Sequence, residues 1–203
     1  MRGVATALVL VLTACTGNVS DNGGGDAGGS GSGDGGGSGN RDGGGGGNVD
    51  AAPVVGEDPG VAGIVAAHNA ARAAVSPAPA TPMPALVWSS AAFDKARAWA
   101  AGCNWSHNPN LGSFGENIFA TSASTTGAAV VQSWVSEKAN YNYAANSCSG
   151  VCGHYTQVVW AATTAIGCAR QRCTTGSPLG GGSWEFWVCD YSPPGNFGGQ
   201  RPY

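Results

Sequence analysis

The chain is poor in charge and lacks the patterns of the common catalytic machineries. Only 10% of its 203 residues are charged, nine basic against twelve acidic, for a formal net charge of -3. From Val54 onward the charges balance: Arg72, Lys95, Arg97, Lys138, Arg170, Arg172 and Arg201 against Glu57, Asp58, Asp94, Glu116, Glu137, Glu185 and Asp190. No basic patch exists to meet a phosphate backbone, so nucleic acid is not an expected partner. There is no H-E-x-x-H and no G-x-S-x-G, the signatures of zinc peptidases and of α/β-hydrolases. No apolar run approaches the roughly 20 residues that cross a bilayer as a helix, and no internal repeat is visible.

What is present begins with an export signal. Arg2 supplies a positive start, and Val4 to Ala14 is an apolar run too short to span a membrane. It ends in Leu12-Thr13-Ala14-Cys15, which resembles a bacterial lipobox, where cleavage before the cysteine leaves its thiol to carry diacylglycerol. That reading also resolves the cysteine count. Seven is an odd number for an exported chain. With Cys15 assigned to lipid, Cys103, Cys148, Cys152, Cys168, Cys173 and Cys189 remain as an even set, and an oxidising compartment makes disulfides the default. Cys148-x3-Cys152 and Cys168-x4-Cys173 come near to metal spacings, but no C-x2-C or H-x3-5-H accompanies them.

Asp21 to Asn48 is almost wholly Gly, Ser, Asp and Asn, with Ala27 its one apolar residue. Such a segment cannot bury enough surface to offset the entropy of ordering. As a coil it spans about 30 Å, which suits a tether. The expected organisation is therefore a signal peptide over 1–14, a lipidated cysteine and disordered tether over 15–53, and one folded domain over 54–203. The membrane is reached only through Cys15, the domain faces the cell exterior or periplasm, and it is expected to be a monomer. Thr16, with no acidic residue after the cysteine, fits sorting to an outer membrane where the cell has one.

Within the domain, Asp58-Pro59 is a helix start, a capping carboxylate followed by proline. Val61, Ile64, Val65, His68, Ala71 and Val75 follow at helical spacing, which puts His68 on the apolar side. The proline-rich Ser76 to Pro84 ends that helix. Second and third helices are predicted over about Ser90 to Gly102 and Gly127 to Lys138, and Gly115 to Phe119 is read as the start of a short one. Gly153 to Trp160, Ala165 to Cys173 and Ser183 to Tyr191 read as three strands of a meander, giving an α+β domain. On the first of these strands His154, Thr156, Val158 and Trp160 share one face.

Two segments carry a family resemblance: C-G-H-Y-T-Q-V-V-W from Cys152 and C-D-Y-S-P-P-G-N-F from Cys189. They resemble the signature motifs of the CAP superfamily (cysteine-rich secretory proteins, antigen 5 and pathogenesis-related protein 1), and the plant pathogenesis-related branch above all. The resemblance covers nearly all of 54–203 and implies a three-layer α-β-α sandwich with a small antiparallel sheet. It also implies three disulfides, Cys103–Cys173, Cys148–Cys152 and Cys168–Cys189. The last also fits neighbouring antiparallel strands.

The resemblance further implies a central tetrad: His68 in A-A-H-N-A-A-R, Glu116 in F-G-E-N-I, Glu137 in W-V-S-E-K and His154 in C-G-H-Y-T. Two imidazoles and two carboxylates are sound ligands for zinc or another divalent cation and are the groups used in acid–base chemistry. A buried His–Glu pair that only braces the core is the structural alternative. His107, in C-N-W-S-H-N-P-N, is read as a loop residue outside the tetrad, and Asn69, Asn117 and Gln157 as hydrogen-bonding partners of backbone. Residues 193–203 resemble a peptide released by plant members, but are read here as a chain end packed on the sheet by Phe197 and Tyr203.

The function expected from these features is a non-enzymatic binding module for a lipid or sterol-like ligand, or for an extracellular partner protein. A metal-dependent hydrolase using the same tetrad is the rival, and a purely structural or interaction protein the third reading. Mass spectrometry of the N-terminus is expected to find the mature chain beginning at diacylglyceryl-modified Cys15. Cleavage elsewhere with an unmodified cysteine would remove the lipoprotein assignment.

Overall fold

The computed structural model describes residues 9–10 and 55–203. The expected signal, lipid site and tether otherwise fall outside the described residues. The central sheet runs β1-β3-β7-β6-β2, formed by Val9–Leu10 (β1), Val87–Trp88 (β2), Gly115–Thr121 (β3), Ala165–Cys173 (β6) and Trp184–Ser192 (β7). A hairpin of Tyr141–Asn142 (β4) and Ser147–Cys148 (β5) stands apart from it. The helices are Ile64–Ala73 (α1), Ser90–Ala100 (α2), Gly127–Ser136 (α3) and Gly153–Val158 (α4).

Every residue of β7 from Trp184 to Tyr191 is buried, because the sheet is covered on both sides. Strand alternation sorts its side chains between two cores. Ile118, Ala120, Trp184, Phe186 and Val188 pack with Ala96 and Ala100 of α2. Phe119, Trp187, Cys189 and Tyr191 face the other way, onto α1, α3 and α4 through Ile64, Val65, Val131, Trp134 and Val158. This is the α-β-α sandwich. The three disulfides are those the resemblance implied, and Cys168 and Cys189 lie directly opposite in the β6–β7 ladder.

Three segments differ from their sequence reading. The first helix is interrupted: Asp58 caps a 3-10 turn at Pro59–Val61, Gly63 adopts φ +81°, and α1 starts only at Ile64. Gly63 has no capping side chain of its own, so Glu57 reaches in, accepting from Gly63 N and Val65 N at 2.9 Å each. Gly115–Thr121 is a strand rather than a helix start, because seven residues pair in unbroken register with Tyr191 to Glu185.

The third correction matters most. Gly153–Val158 is a helix, not the strand that its β-branched and aromatic residues suggested. Glu137 accepts from the first-turn amides of His154 and Tyr155 at 3.0 and 3.2 Å, and the Thr156 hydroxyl donates back to the Cys152 carbonyl at 3.1 Å. As a helix it turns His154, Tyr155 and Val158 inward together. The C-terminal segment packs on this helix and the hairpin rather than on the sheet: Phe197 lies against Trp160, and Tyr203 stacks on Tyr143.

Gly167 marks the tightest crossing of helix and sheet. A Cβ there would sit 2.0 Å from the Phe93 amide nitrogen, and all three of its nearest neighbours, in Ser89, Ala92 and Phe93, are backbone atoms. Gly167→Ala is therefore expected to destabilise by ~3 kcal/mol or more, read from chemical denaturation. Gly63→Ala meets no side chain and is expected to cost about 1 kcal/mol through its positive φ alone.

Candidate functional site

His154 enters the site from α4. Its Nδ1 donates to Glu137 Oε1 at 2.7 Å, while Glu137 Oε2 holds the helix amides. Its Nε2 is buried and has no hydrogen-bond partner among the described residues. A neutral imidazole with its proton on Nδ1 carries a lone pair on Nε2. The indole of Trp134, from α3, stacks on the ring with centroids 6.2 Å apart and planes at 8°.

Glu116 lies at the start of β3, and its side chain is wholly buried. Its Oε1 accepts from His107 Nδ1 at 2.8 Å and from the Asn108 amide at 2.9 Å. His107 is the more open histidine, with 23% of its side chain exposed. Its ring faces that of His154, with centroids 6.5 Å apart and planes at 29°. The site thus holds two units of one kind, each an imidazole oriented by a carboxylate on Nδ1.

His68 is placed differently. Its Nδ1 donates to the Ile64 carbonyl at 2.8 Å, and its Nε2 meets the Tyr191 hydroxyl at 2.9 Å. Tyr191 in turn accepts from Asn117 Nδ2 at 3.0 Å. Both ring nitrogens are occupied, and burial pushes the pKa of His68 down to about 4. It packs against Trp134 at 6.0 Å. Three of the expected residues, Glu116, Glu137 and His154, gather here together with His107, while His68 belongs to a closed hydrogen-bond network beside them. His107, read from sequence as a loop residue outside the tetrad, is brought to Glu116 across the turn Asn108-Pro109-Asn110, where Asn108 accepts from the Asn110 amide.

The flanking amides act as expected, with additions. Asn69 clasps both backbone groups of Leu86, and Asn117 also donates to the His154 carbonyl. Gln157 accepts from the Gly195 amide and donates to the Thr163 hydroxyl. Arg72 has no carboxylate partner among the described residues. Its guanidinium instead donates to the carbonyls of Pro84, Val158, Trp160 and Thr163, and burial lowers its pKa to about 10.

Among the described residues no group of three or more His, Cys, Asp or Glu side chains is drawn close enough to hold a metal ion. The donor chemistry nonetheless suits one. Imidazoles that hold metals commonly give Nδ1–H to a carboxylate and present Nε2, and His154 leaves that nitrogen buried and unpartnered.

The family described as CAP, Cysteine-rich secretory protein family, matches residues 65–191. The chain belongs to that family. Pathogenesis-related protein 1 of Arabidopsis thaliana is 41% identical across 67% of this chain and 78% of its own length. A PR-1-type protein of Sambucus nigra is 45% identical across 68% and 79%, and GLIPR1-like protein 1 of Mus musculus 42% across 67% and 60%. Venom allergen-like protein 4 of Schistosoma mansoni superposes with a TM-score of 0.56 at 26% identity, covering 72% of this chain and 94% of that one. NaASP2, solved with Zn2+, gives 0.55 at 24% identity, covering 72% and 88%, and shares the fold.

Asp190 is the unexpected member of this CAP domain's site. It pairs across the ladder with Glu116, is fully buried, and neither of its oxygens has a hydrogen-bond partner among the described residues. Burial first, and Glu116 second, raise its pKa to about 8. The folded chain therefore keeps a proton on Asp190 that the unfolded chain has lost, and this contribution to stability disappears as pH rises from about 4 to about 8. His68 acts with opposite sign: its depressed pKa stabilises above 6.5, and that is lost as pH falls toward 4. The two slopes cancel between about 4 and 6.5, and of these two groups only Asp190 acts above that range. Stability is expected to fall from pH 6.5 to 8 by up to ~1.4 kcal/mol per unit. Asp190→Asn, with no proton to lose, is expected to abolish that fall in urea titrations run across the range.

Proposed function

We propose that this chain is a non-enzymatic binding module, held at the outer face of a membrane through Cys15, whose central site takes a divalent cation between His107 and His154. The observation that carries the reading is the facing pair of imidazoles, each with its Nδ1 on a buried carboxylate. Glu116 and Glu137 serve to orient the rings and fix their tautomers, and zinc is the cation best suited to two nitrogen donors. When bound, the cation would supply a fixed positive charge between the two rings. His68 supports the site through Trp134 without entering it. The larger ligand is read as a lipid or sterol-like molecule or an extracellular partner protein, approached from the exposed side of His107.

The non-enzymatic reading rests on the side chains around the site. All six cysteines of the domain are in disulfides, so none serves as a nucleophile. Beside the site, the Tyr191 hydroxyl meets the imidazole of His68. Burial raises its pKa well above the ordinary value, the wrong direction for an attacking group.

Calorimetric titration of zinc tests the assignment. Wild type and His68→Ala are expected to bind alike, while a His107→Ala, His154→Ala double variant loses binding. Affinity is expected to weaken in acid, because a protonated imidazole cannot coordinate. Loss of binding in His68→Ala with retention in the double variant would move the site to the other histidine. Hydrolysis abolished by the double variant would overturn the non-enzymatic reading.

A further inference from the structure

A cavity of about 330 Å³ opens on the side of α4 away from His154, between the β4–β5 hairpin and the C-terminal segment. Thr156 lines it. At 3.6 residues per turn Thr156 lies about 200° round the helix from His154, so the cavity and the cation site use opposite faces of one helix. Its volume is at the lower end of the range for small-molecule sites.

Three features define what would fit. The first is neutrality: no Asp, Glu, Lys, Arg or His is among the lining residues. Arg201, between two residues that do line it, is turned elsewhere, bonded to the carbonyls of Tyr143 and Ala144 with its guanidinium over the Tyr143 ring. The second is aromatic wall. Trp160 and Phe197 meet at 60° with centroids 6.0 Å apart, and Tyr141 adds a third ring. The third is fixed polarity. Asn196 is held by the Thr156 hydroxyl at 2.7 Å and the Gly153 carbonyl at 2.8 Å. Asn146 accepts from Tyr141 at 2.7 Å and donates to the Gly199 and Gln200 carbonyls. The walls are thereby ordered before any ligand arrives, which lowers the entropy lost on binding. Ser147 and Gln200 stand exposed at the rim.

We infer that this cavity binds a neutral saccharide. The C–H faces of a pyranose ring are apolar and pack on aromatic rings, while its hydroxyl edge needs neutral donors and acceptors such as the Ser147 hydroxyl and the Gln200 amide. An ionic ligand would leave its charge unpaired against this lining.

Saturation-transfer NMR on the full chain, with cellobiose, N,N′-diacetylchitobiose and glucose 6-phosphate, tests the assignment. Saturation is expected on the ring C–H protons of at least one neutral disaccharide and not on the phosphate ester. Phe197→Ala is expected to weaken binding about tenfold or more. A Ser147→Ala, Gln200→Ala double variant is expected to weaken it severalfold with an unchanged unfolding midpoint, so the result does not depend on the tail variant folding. The His107→Ala, His154→Ala variant should bind saccharide as wild type does, which separates this site from the cation reading. No transfer to either neutral disaccharide, stronger transfer to the phosphate, or equal affinity in both cavity variants would each overturn the assignment.

Discussion

The carboxylate of Glu137 is the contact on which the site depends. One oxygen fixes the His154 ring and the other takes the first amides of the helix that carries it. Position and tautomer of the imidazole are thus set by the same group. Charge-assisted bonds to buried donors of this kind are the strong class, and removing the acceptor would leave two amides and a ring N–H without partners. Glu116 repeats the arrangement with the His107 ring and the Asn108 amide. Each histidine is therefore tied to the local backbone by the carboxylate that orients it.

The sheet explains why these two units can meet. Strands β3, β7 and β6 are covered on both faces, and their alternation sends Glu116 and Asp190 toward α2 while Asn117 and Tyr191 point toward α1, α3 and α4. Glu116 lies at the first paired step but one of β3, where the ladder gives way to the loop carrying His107. The cation site thus lies at this end of β3, beside the closed network around His68, and Trp134 touches the rings of both His68 and His154.

Much of this was legible in the sequence. Helical spacing located α1, α2 and α3, and alternation located β6 and β7, since these segments follow local rules. The cysteine pairs came from family resemblance, and their spacing alone left fifteen possibilities open. Two segments were illegible for a physical reason. Gly153–Val158 has strand-forming residues, and only the distant Glu137 makes it helical. Gly115–Thr121 is a strand because β7 is there to pair with it. The role of His107 was hidden likewise, since nothing in its polar loop reveals that the loop closes on Glu116. His68 shows the converse: an apolar helix face was rightly read as burial, and burial placed it in a hydrogen-bond network.

Six residues form too short a helix to persist by themselves. Helix α4 persists because opposite charges grip its two ends, Glu137 at the amide end and Arg72 at the carbonyls of Val158 and Trp160, each matching the sign of the helix dipole there. Both clamps come from other elements, so the segment has no stability separate from theirs. Its amides should exchange with solvent only when the whole domain opens. A protease would find no partly unwound substrate in the stretch that bears His154, however short that stretch is.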